Sequence, residues 1–360
     1  PRPSSPSRQS SLLTPDSLLT AAGALNGVAM TSVGSQIQHG PGGEVPAGAA
    51  AGVPGDGSML PYYAYRFGET LVRILPRRAA YGLAVGCAEV LRTVRPGAVR
   101  GLRANLAHVL PDLEPRALNR VVRRNLRDLG RAWVDVMAMR FEGDDISNGL
   151  IVDHMERYTE AAAGGRGVAV ISLHLGSWEK GLAAGNSLGY PMALLAEYLR
   201  PHQLFERVVG SRRAQGVRIV PIDIAAIKGA DEVTARRLGA AAMRDVLRIL
   251  KSGGAIALAM DRDLIGNGEP FPFFGAEAPI PVGVVDAAMR AGSVILPVVL
   301  PRIHGGVGVF VHPEIEYDPG APRREERRRV VMEILRVFEA SIREFPEQWH
   351  VLDPVWDDGR

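Results

Sequence analysis

Apolar and polar positions along the chain fall into three regimes. Residues 1–60 keep no period: Pro, Ser, Gly and Ala dominate, charges are few and aromatics nearly absent. Such a composition cannot bury enough apolar surface to order itself, so a disordered leader is expected. From residue 61 apolar positions recur at helical spacing. Phe67, Leu71, Ile74 and Leu75 share one side of a first helix, Pro76 interrupts it, and residues 78–94 read as a second, mostly apolar helix. Residues 102–139 continue helical through Asn105, Leu106, Val109, Leu110, Val121, Val122, Leu126 and Leu129. After residue 151 short apolar runs alternate with amphipathic stretches. Strands are expected at 168–173, 192–196, 217–222, 255–260, 294–300 and 307–312, and helices at 178–188, 203–214, 231–250, 282–290 and 323–345. This alternation predicts an α/β fold, a central and mostly parallel sheet flanked by helices, with an N-terminal helical segment before it. The run Gln348-Trp349-His350-Val351-Leu352 is too apolar for a free tail.

Charge changes the picture of the helical segment. The whole chain carries +3, yet residues 61–140 hold 15 Arg, no Lys and 6 acids, a local +9 that leaves −6 elsewhere. Arg66, Arg73 and Arg77, spaced by seven and four, form one stripe on a helix. Two readings stand: a helical hairpin packed on the sheet, or an interfacial surface with arginines at anionic lipid headgroups. The further cluster Arg116, Arg120, Arg123, Arg124, Arg127 and Arg131 reads as a solvated face. Nucleic acid is a poor fit, because no aromatics interleave with these arginines. No uncharged apolar run approaches the roughly 20 residues of a membrane span, and no secretory signal pattern opens the chain. One cysteine, Cys87, excludes an internal disulfide framework and a cysteine-based zinc cluster. The eight histidines lack ligand spacing, so no metal is expected.

The chemistry concentrates where apolar runs stop. The strand at 168–173 ends in His174-Leu175-Gly176-Ser177-Trp178-Glu179, which puts a histidine at the carboxyl end of a strand, where open α/β sheets place their ligands. A carboxylate must hold a neutral imidazole in one tautomer before it can take a proton. Glu179, in the first turn of the next helix, is one partner. Asp261 of Met260-Asp261-Arg262-Asp263 is the other, since it also ends a buried strand, where charges must pair or act. Glu197 and Arg200, in Glu197-Tyr198-Leu199-Arg200-Pro201, read either as substrate contacts or as a surface ion pair. Arg212 and Arg213 suit phosphate, or simply a helix C-terminus. Small residues Gly283, Ala287, Ala288 and Ala291 leave room for an acyl chain or for close helix–sheet packing. Gly185-Asn186-Ser187-Leu188-Gly189 matches a nucleophile-elbow pattern, but its serine follows a helix and precedes a strand, the reverse of what an elbow requires.

Taken together, His174-Leu175-Gly176-Ser177-Trp178-Glu179, Glu197-Tyr198-Leu199-Arg200-Pro201, Asp261-Arg262-Asp263-Leu264 with Phe273-Phe274-Gly275, and Gln348-Trp349-His350 resemble the lysophospholipid-acyltransferase-like superfamily. Within it they resemble the branch of lipid A late acyltransferases and actinobacterial phosphatidylinositol mannoside acyltransferases. The match spans about residues 61–352. The resemblance implies an acyltransferase domain over 61–360, with 61–150 facing the membrane and 151–360 forming the α/β core. It also implies a peripheral enzyme on the cytoplasmic side of the cell membrane. The reaction would be transfer from acyl-CoA to a glycolipid hydroxyl, a mannose of a phosphatidylinositol mannoside, with no bound cofactor.

By position His174 would be the base, Glu179 the acid of its motif and Asp261 the carboxylate that pairs with it, and Glu197 and Arg212 match substrate positions. Arg200 and Arg262 are expected to help bind substrate. Backbone N–H groups near Gly176 are expected to hold the oxyanion. The stretch between Ile222 and Arg244 is longer than the branch pattern, and the leader has no counterpart. Lysophosphatidate as acceptor, a serine esterase using Ser187 and a non-catalytic lipid-binding relative are the rival readings. Between the two carboxylates, Asp261 is preferred as the direct partner, with Glu179 shaping the site.

Overall fold

The computed structural model describes residues 58–142, 149–187, 189, 191–214 and 216–357; the expected leader falls outside them apart from Ser58, Met59 and Leu60. Four helices come first: α1 (Leu60–Ile74), α2 (Arg77–Val94), α3 (Pro96–Val109) and α4 (Pro115–Glu142). A proline stands at the start of each, as its fixed φ and missing N–H favour. The expected single helix over 102–139 is therefore two, divided near Pro111 and Pro115. Ala88, Leu102, Leu106, Leu118, Val122 and Leu126 form a small core shared by α2, α3 and α4.

The break at Pro76 also ends the expected arginine stripe. Arg77 opens α2 rather than continuing α1, and its guanidinium lies 2.9 Å from Asp135 on α4. What α1 presents instead is inverted. Its inner face buries Tyr65 and Glu69, with Glu69 held 2.7 Å from Arg207. Leu60, Tyr63, Phe67 and Ile74 stand outside at 71%, 61%, 67% and 67% exposure.

The sheet is built from β1 (Leu150–Asp153), β2 (Val168–Ser172), β3 (Ala193–Glu197), β4 (Arg218–Ile222), β5 (Ala255–Ala259), β8 (Val294–Val299), β9 (Arg302–Ile303) and β10 (Gly306–Val311). A separate hairpin pairs β6 (Glu269–Phe273) with β7 (Ala276–Ile280). The order is β1-β10-β8-β2-β5-β3-β4, parallel throughout except where β10 meets β8, with β9 antiparallel on β10. Between the strands lie α5 (Met155–Ala163), α6 (Trp178–Ser187), α7 (His202–Ala214), α8 (Ile224–Gly229), α9 (Glu232–Lys251) and α10 (Gly283–Ala291), with α11 (Arg323–Glu344) near the end. All five residues of β2 are buried, the pattern of a parallel strand covered on both faces.

Register places the chemistry. Ser172 of β2 is opposite Ala259 of β5, so two residues beyond each strand end His174 and Asp261 come level. The Met260 N–H donates to the Ser172 carbonyl at 2.9 Å and carries the alignment past the regular strands. The hairpin β6–β7 is not among the expected strands. Its prolines, Pro270 and Pro272, alternate with the buried Phe271 and Phe273, so they face away from the core on an isolated two-stranded ribbon, where a missing N–H does no harm. Phe274 and Gly275 take positive φ, +51° and +79°, the geometry of a tight hairpin turn. Among the small residues of α10, Ala287 and Ala288 are buried in the core, so close packing is their role; Gly283 alone of the four reaches the cavity described below.

Candidate active site

His174 and Asp261 meet at the carboxyl edge of the sheet. The imidazole Nδ1 lies 2.7 Å from Asp261 Oδ1, and the His174 backbone N–H donates to Asp261 Oδ2 at 2.9 Å. A third donor, the Trp349 indole N–H, reaches Oδ2 at 2.8 Å. Asp261 is 0% exposed. Burial pushes its carboxyl up, but the imidazole beside it and the three N–H donors outweigh burial and hold it below the ordinary carboxylate range. An ionised carboxylate on Nδ1 fixes the N–H on that nitrogen and leaves Nε2 as the basic one.

Glu179 does not hold the imidazole. Its carboxylate is bound 2.7 Å from Arg212 of α7. The pair is largely buried, and Glu179 Oε2 and Arg212 Nε have no hydrogen-bond partner among the described residues. The reading of Glu179 as orienting acid is corrected on geometry: the first turn of α6 aims it at α7, while the register of β2 and β5 delivers Asp261. Tyr65 of α1 packs nearby, its hydroxyl pushed well above the usual phenol range by burial and then by the charges of Glu69 and Glu179.

Both features open onto a cavity of about 1060 Å³, at the upper end for small-molecule sites. His174, Glu179, Glu197, Arg212 and Arg262 line its polar part, and Ile227, Ala240, Met243, Leu258 and Val282 are among its many apolar walls. The long stretch between Ile222 and Arg244 supplies α8 and the start of α9, which form one side of it. Glu197 is exposed at the end of β3. Arg262 sits 3.8 Å from Asp353 and keeps a buried Nε unpaired. Arg200 is not on the cavity wall: both Asp223 oxygens accept from it, at 3.0 and 2.8 Å, and its guanidinium covers the Tyr198 ring. Asp223 also caps α8, so Arg200 is committed to Asp223 rather than to Glu197, and its reading as a substrate contact is corrected. Arg213 pairs at the surface with Glu206. Ser187 ends α6 and β3 follows, an order no nucleophile elbow can use. Among the described residues no group of three or more His, Cys, Asp or Glu gathers to hold a metal ion.

The loop after His174 is fully committed. The N–H of Leu175 donates to Leu173 O (2.8 Å), that of Gly176 to Gln348 O (2.9 Å) and that of Ser177 to Leu300 O (3.0 Å). With the His174 N–H on Asp261, none of these four is left for an oxyanion. Gly176 has φ +70°, and a Cβ on it would lie 2.3 Å from Leu300 O. Gly176→Ala is therefore expected to destabilise the protein by about 2–5 kcal/mol, combining left-handed strain with overpacking; a shift of the urea midpoint at unchanged slope measures it.

Sequence reasoning marked residues 348–352 as too apolar for a free tail but missed what straps them down. Asn125 of α4, wholly buried, donates to Pro346 O and Trp349 O, and Asn105 of α3 to Val351 O and Asp353 O. His350, on the cavity wall, lies 3.2 Å from Asp128 on α4. Burial pushes Asp128 up, but His350 and Arg302 outweigh it and hold it ionised. Asparagines inside the apolar stripe of a helix were the available signal, because a buried amide must find partners.

The model of the bacterial lipid A biosynthesis acyltransferase family matches residues 58–357. The chain belongs to that family. It is an acyltransferase. Similar proteins include the phosphatidylinositol mannoside acyltransferase of Mycolicibacterium smegmatis, 26% identical over 302 residues, covering 83% of this chain and 92% of the relative. The protein of the same name from Mycobacterium tuberculosis is 26% identical over 304 residues, covering 82% and 88%. A buried carboxylate, an oriented imidazole and a largely apolar cavity thus meet at one sheet edge.

Proposed function

We propose that the protein moves a fatty acyl chain from acyl-CoA to a mannose hydroxyl of a phosphatidylinositol mannoside, with His174 as general base. The observation that carries this reading is the His174–Asp261 pair at the wall of the apolar cavity. The acceptor hydroxyl gives its proton to His174 Nε2 as its oxygen attacks the thioester carbonyl carbon. The tetrahedral adduct then collapses, the C–S bond breaks, and the imidazolium returns the proton to the departing thiolate. Asp261 stabilises the imidazolium between these steps. The unpaired Glu179 Oε2 and Arg212 Nε, with Glu197, are polar groups suited to a hydroxyl-rich acceptor. The names of the similar mycobacterial proteins support the mannolipid as acceptor.

The reaction takes place at the cytoplasmic surface of the cell membrane, with the enzyme bound peripherally. Among the described residues no helix is long and apolar enough to cross a membrane. The outward Leu60, Tyr63, Phe67 and Ile74 stripe of α1 supports interfacial contact.

Mass spectrometry of products from palmitoyl-CoA and a panel of acceptors tests the reading. A mono-acylated mannolipid is expected, formed equally by Ser187→Ala. Product from lysophosphatidate alone, or a folded Ser187→Ala protein without turnover, would overturn it.

A further inference from the structure

We infer that Trp349 is a positioning residue for acyl transfer, its indole N–H holding the Asp261 carboxylate in the orientation that keeps Oδ1 on His174 Nδ1. The inference rests on the reading of His174 as base.

The hydrogen bonds of Asp261 are unequal in origin. Two of its three donors, the ring Nδ1–H and the backbone N–H, belong to His174 itself. The ring Nδ1–H moves with the imidazole, and the backbone N–H holds Oδ2 only from the histidine's own side of the pair. Among the described residues the Trp349 indole is the one side chain from another element that donates to this carboxylate. A carboxylate with 0% exposure has no water to make up for a lost donor.

Trp349 is itself built to stay still. It is 0% exposed, its carbonyl accepts from Asn125 at 2.7 Å, and its ring stands edge-on to Phe273 and Trp356 at 6.3 and 6.2 Å. Its backbone pairs with the histidine loop: Leu175 bridges Trp349, the Gly176 N–H donates to Gln348 O, and the His350 N–H donates to His174 O at 2.7 Å. The root of the indole and the root of the imidazole thus share one short antiparallel frame. The indole reaches from that frame to β5's carboxylate, and Asp261 returns the contact to His174.

Trp349→Phe keeps an aromatic ring and removes the donor. Steady-state kinetics are expected to show kcat lowered about 10–100-fold, the range for losing a hydrogen bond to a charged group, with KM for both substrates unchanged. The acid limb of the kcat/KM profile should move to higher pH, because a carboxylate short of one donor takes a proton more readily. Should the Phe variant not fold, β-(3-benzothienyl)alanine at the same position replaces N–H by sulfur at nearly constant shape, and the same changes are expected. His174→Ala is assayed in parallel. If His174→Ala retains transfer, the base reading fails. If it is inactive while the residue-349 variant keeps wild-type kcat and pH profile, the base reading stands and Trp349 is only a packing residue.

Discussion

His174→Ala is expected to lower kcat roughly 10²–10⁴-fold, the usual worth of a positioned general base, and to lower thermal stability as well, since the buried Asp261 carboxylate loses its Nδ1–H donor. Asp261→Asn is the more informative partner, and a loss of similar order is expected. The carboxylate accepts three N–H groups on two oxygens. An amide offers one oxygen and one NH₂, so at least one donor must face another donor. If the oxygen stays under the Trp349 and His174 N–H groups, the NH₂ takes the place of Oδ1. The imidazole must then accept at Nδ1, its proton moves to Nε2, and the base is lost at the nitrogen that faces substrate. If the amide turns over, two buried N–H groups are stranded instead, at roughly 1–3 kcal/mol each. Activity falls on either path, and the stability measurement distinguishes them. Because the folded state holds Asp261 below the ordinary carboxylate range, its stabilisation is fully present above that range and is lost only as pH falls through the lowered value. Equal rates for wild type and Asp261→Asn would refute the assignment.

Much of this site could be read in the chain, and the reason is physical. Parallel strands buried on both faces leave continuous apolar runs, and the first charged residue after such a run marks the sheet edge. His174 and Asp261 stand out for that reason, and in-register pairing of β2 with β5 brings them level. Glu179 could not be separated from Asp261 by spacing, because the competing partner, Arg212, is 33 residues away on another helix. Arg200 was read toward the site since a strand end points there, but Asp223, at the end of the neighbouring β4, takes it instead. The strap was least legible. Its hydrogen bonds run from Asn105 and Asn125 to backbone atoms more than 200 residues away, and no local period records them. The missed β6–β7 hairpin has a different cause: two prolines in one strand argue against a strand everywhere except on a ribbon like this. The arginine stripe failed at a single residue, Pro76, which ended the helix it depended on.

That failure sharpens what α1 should do. Replacing Phe67 and Ile74 together by Glu is expected to weaken binding to anionic vesicles at least about 100-fold. Each side chain gives up roughly 1.5–3 kcal/mol of burial in the interface, and 1.4 kcal/mol is a factor of ten. Both are about two-thirds exposed in the protein, so the fold should tolerate the change, and an unaltered melting temperature is part of the expected result. The direction of the helix supports the effect. A surface helix normally turns its apolar stripe inward, whereas α1 buries Glu69 against Arg207 and leaves Leu60, Tyr63, Phe67 and Ile74 outside. The outward orientation is locked, because reversing it would strand the Glu69 carboxylate and the Tyr65 hydroxyl in lipid. The exposed Arg66 and Arg73 flank the stripe, so wild-type binding should weaken with salt without vanishing, the apolar part being unscreened. Vesicle flotation at two ionic strengths separates the contributions. Tyr65, on the inner face of α1, feels the charges of the Glu179–Arg212 pair at the cavity wall. Transfer to an acceptor embedded in vesicles should therefore fall with binding in the Phe67→Glu, Ile74→Glu protein, while transfer to a short-chain acceptor dispersed in detergent continues. A double variant that floats with vesicles as the wild type does would remove α1 as the membrane contact.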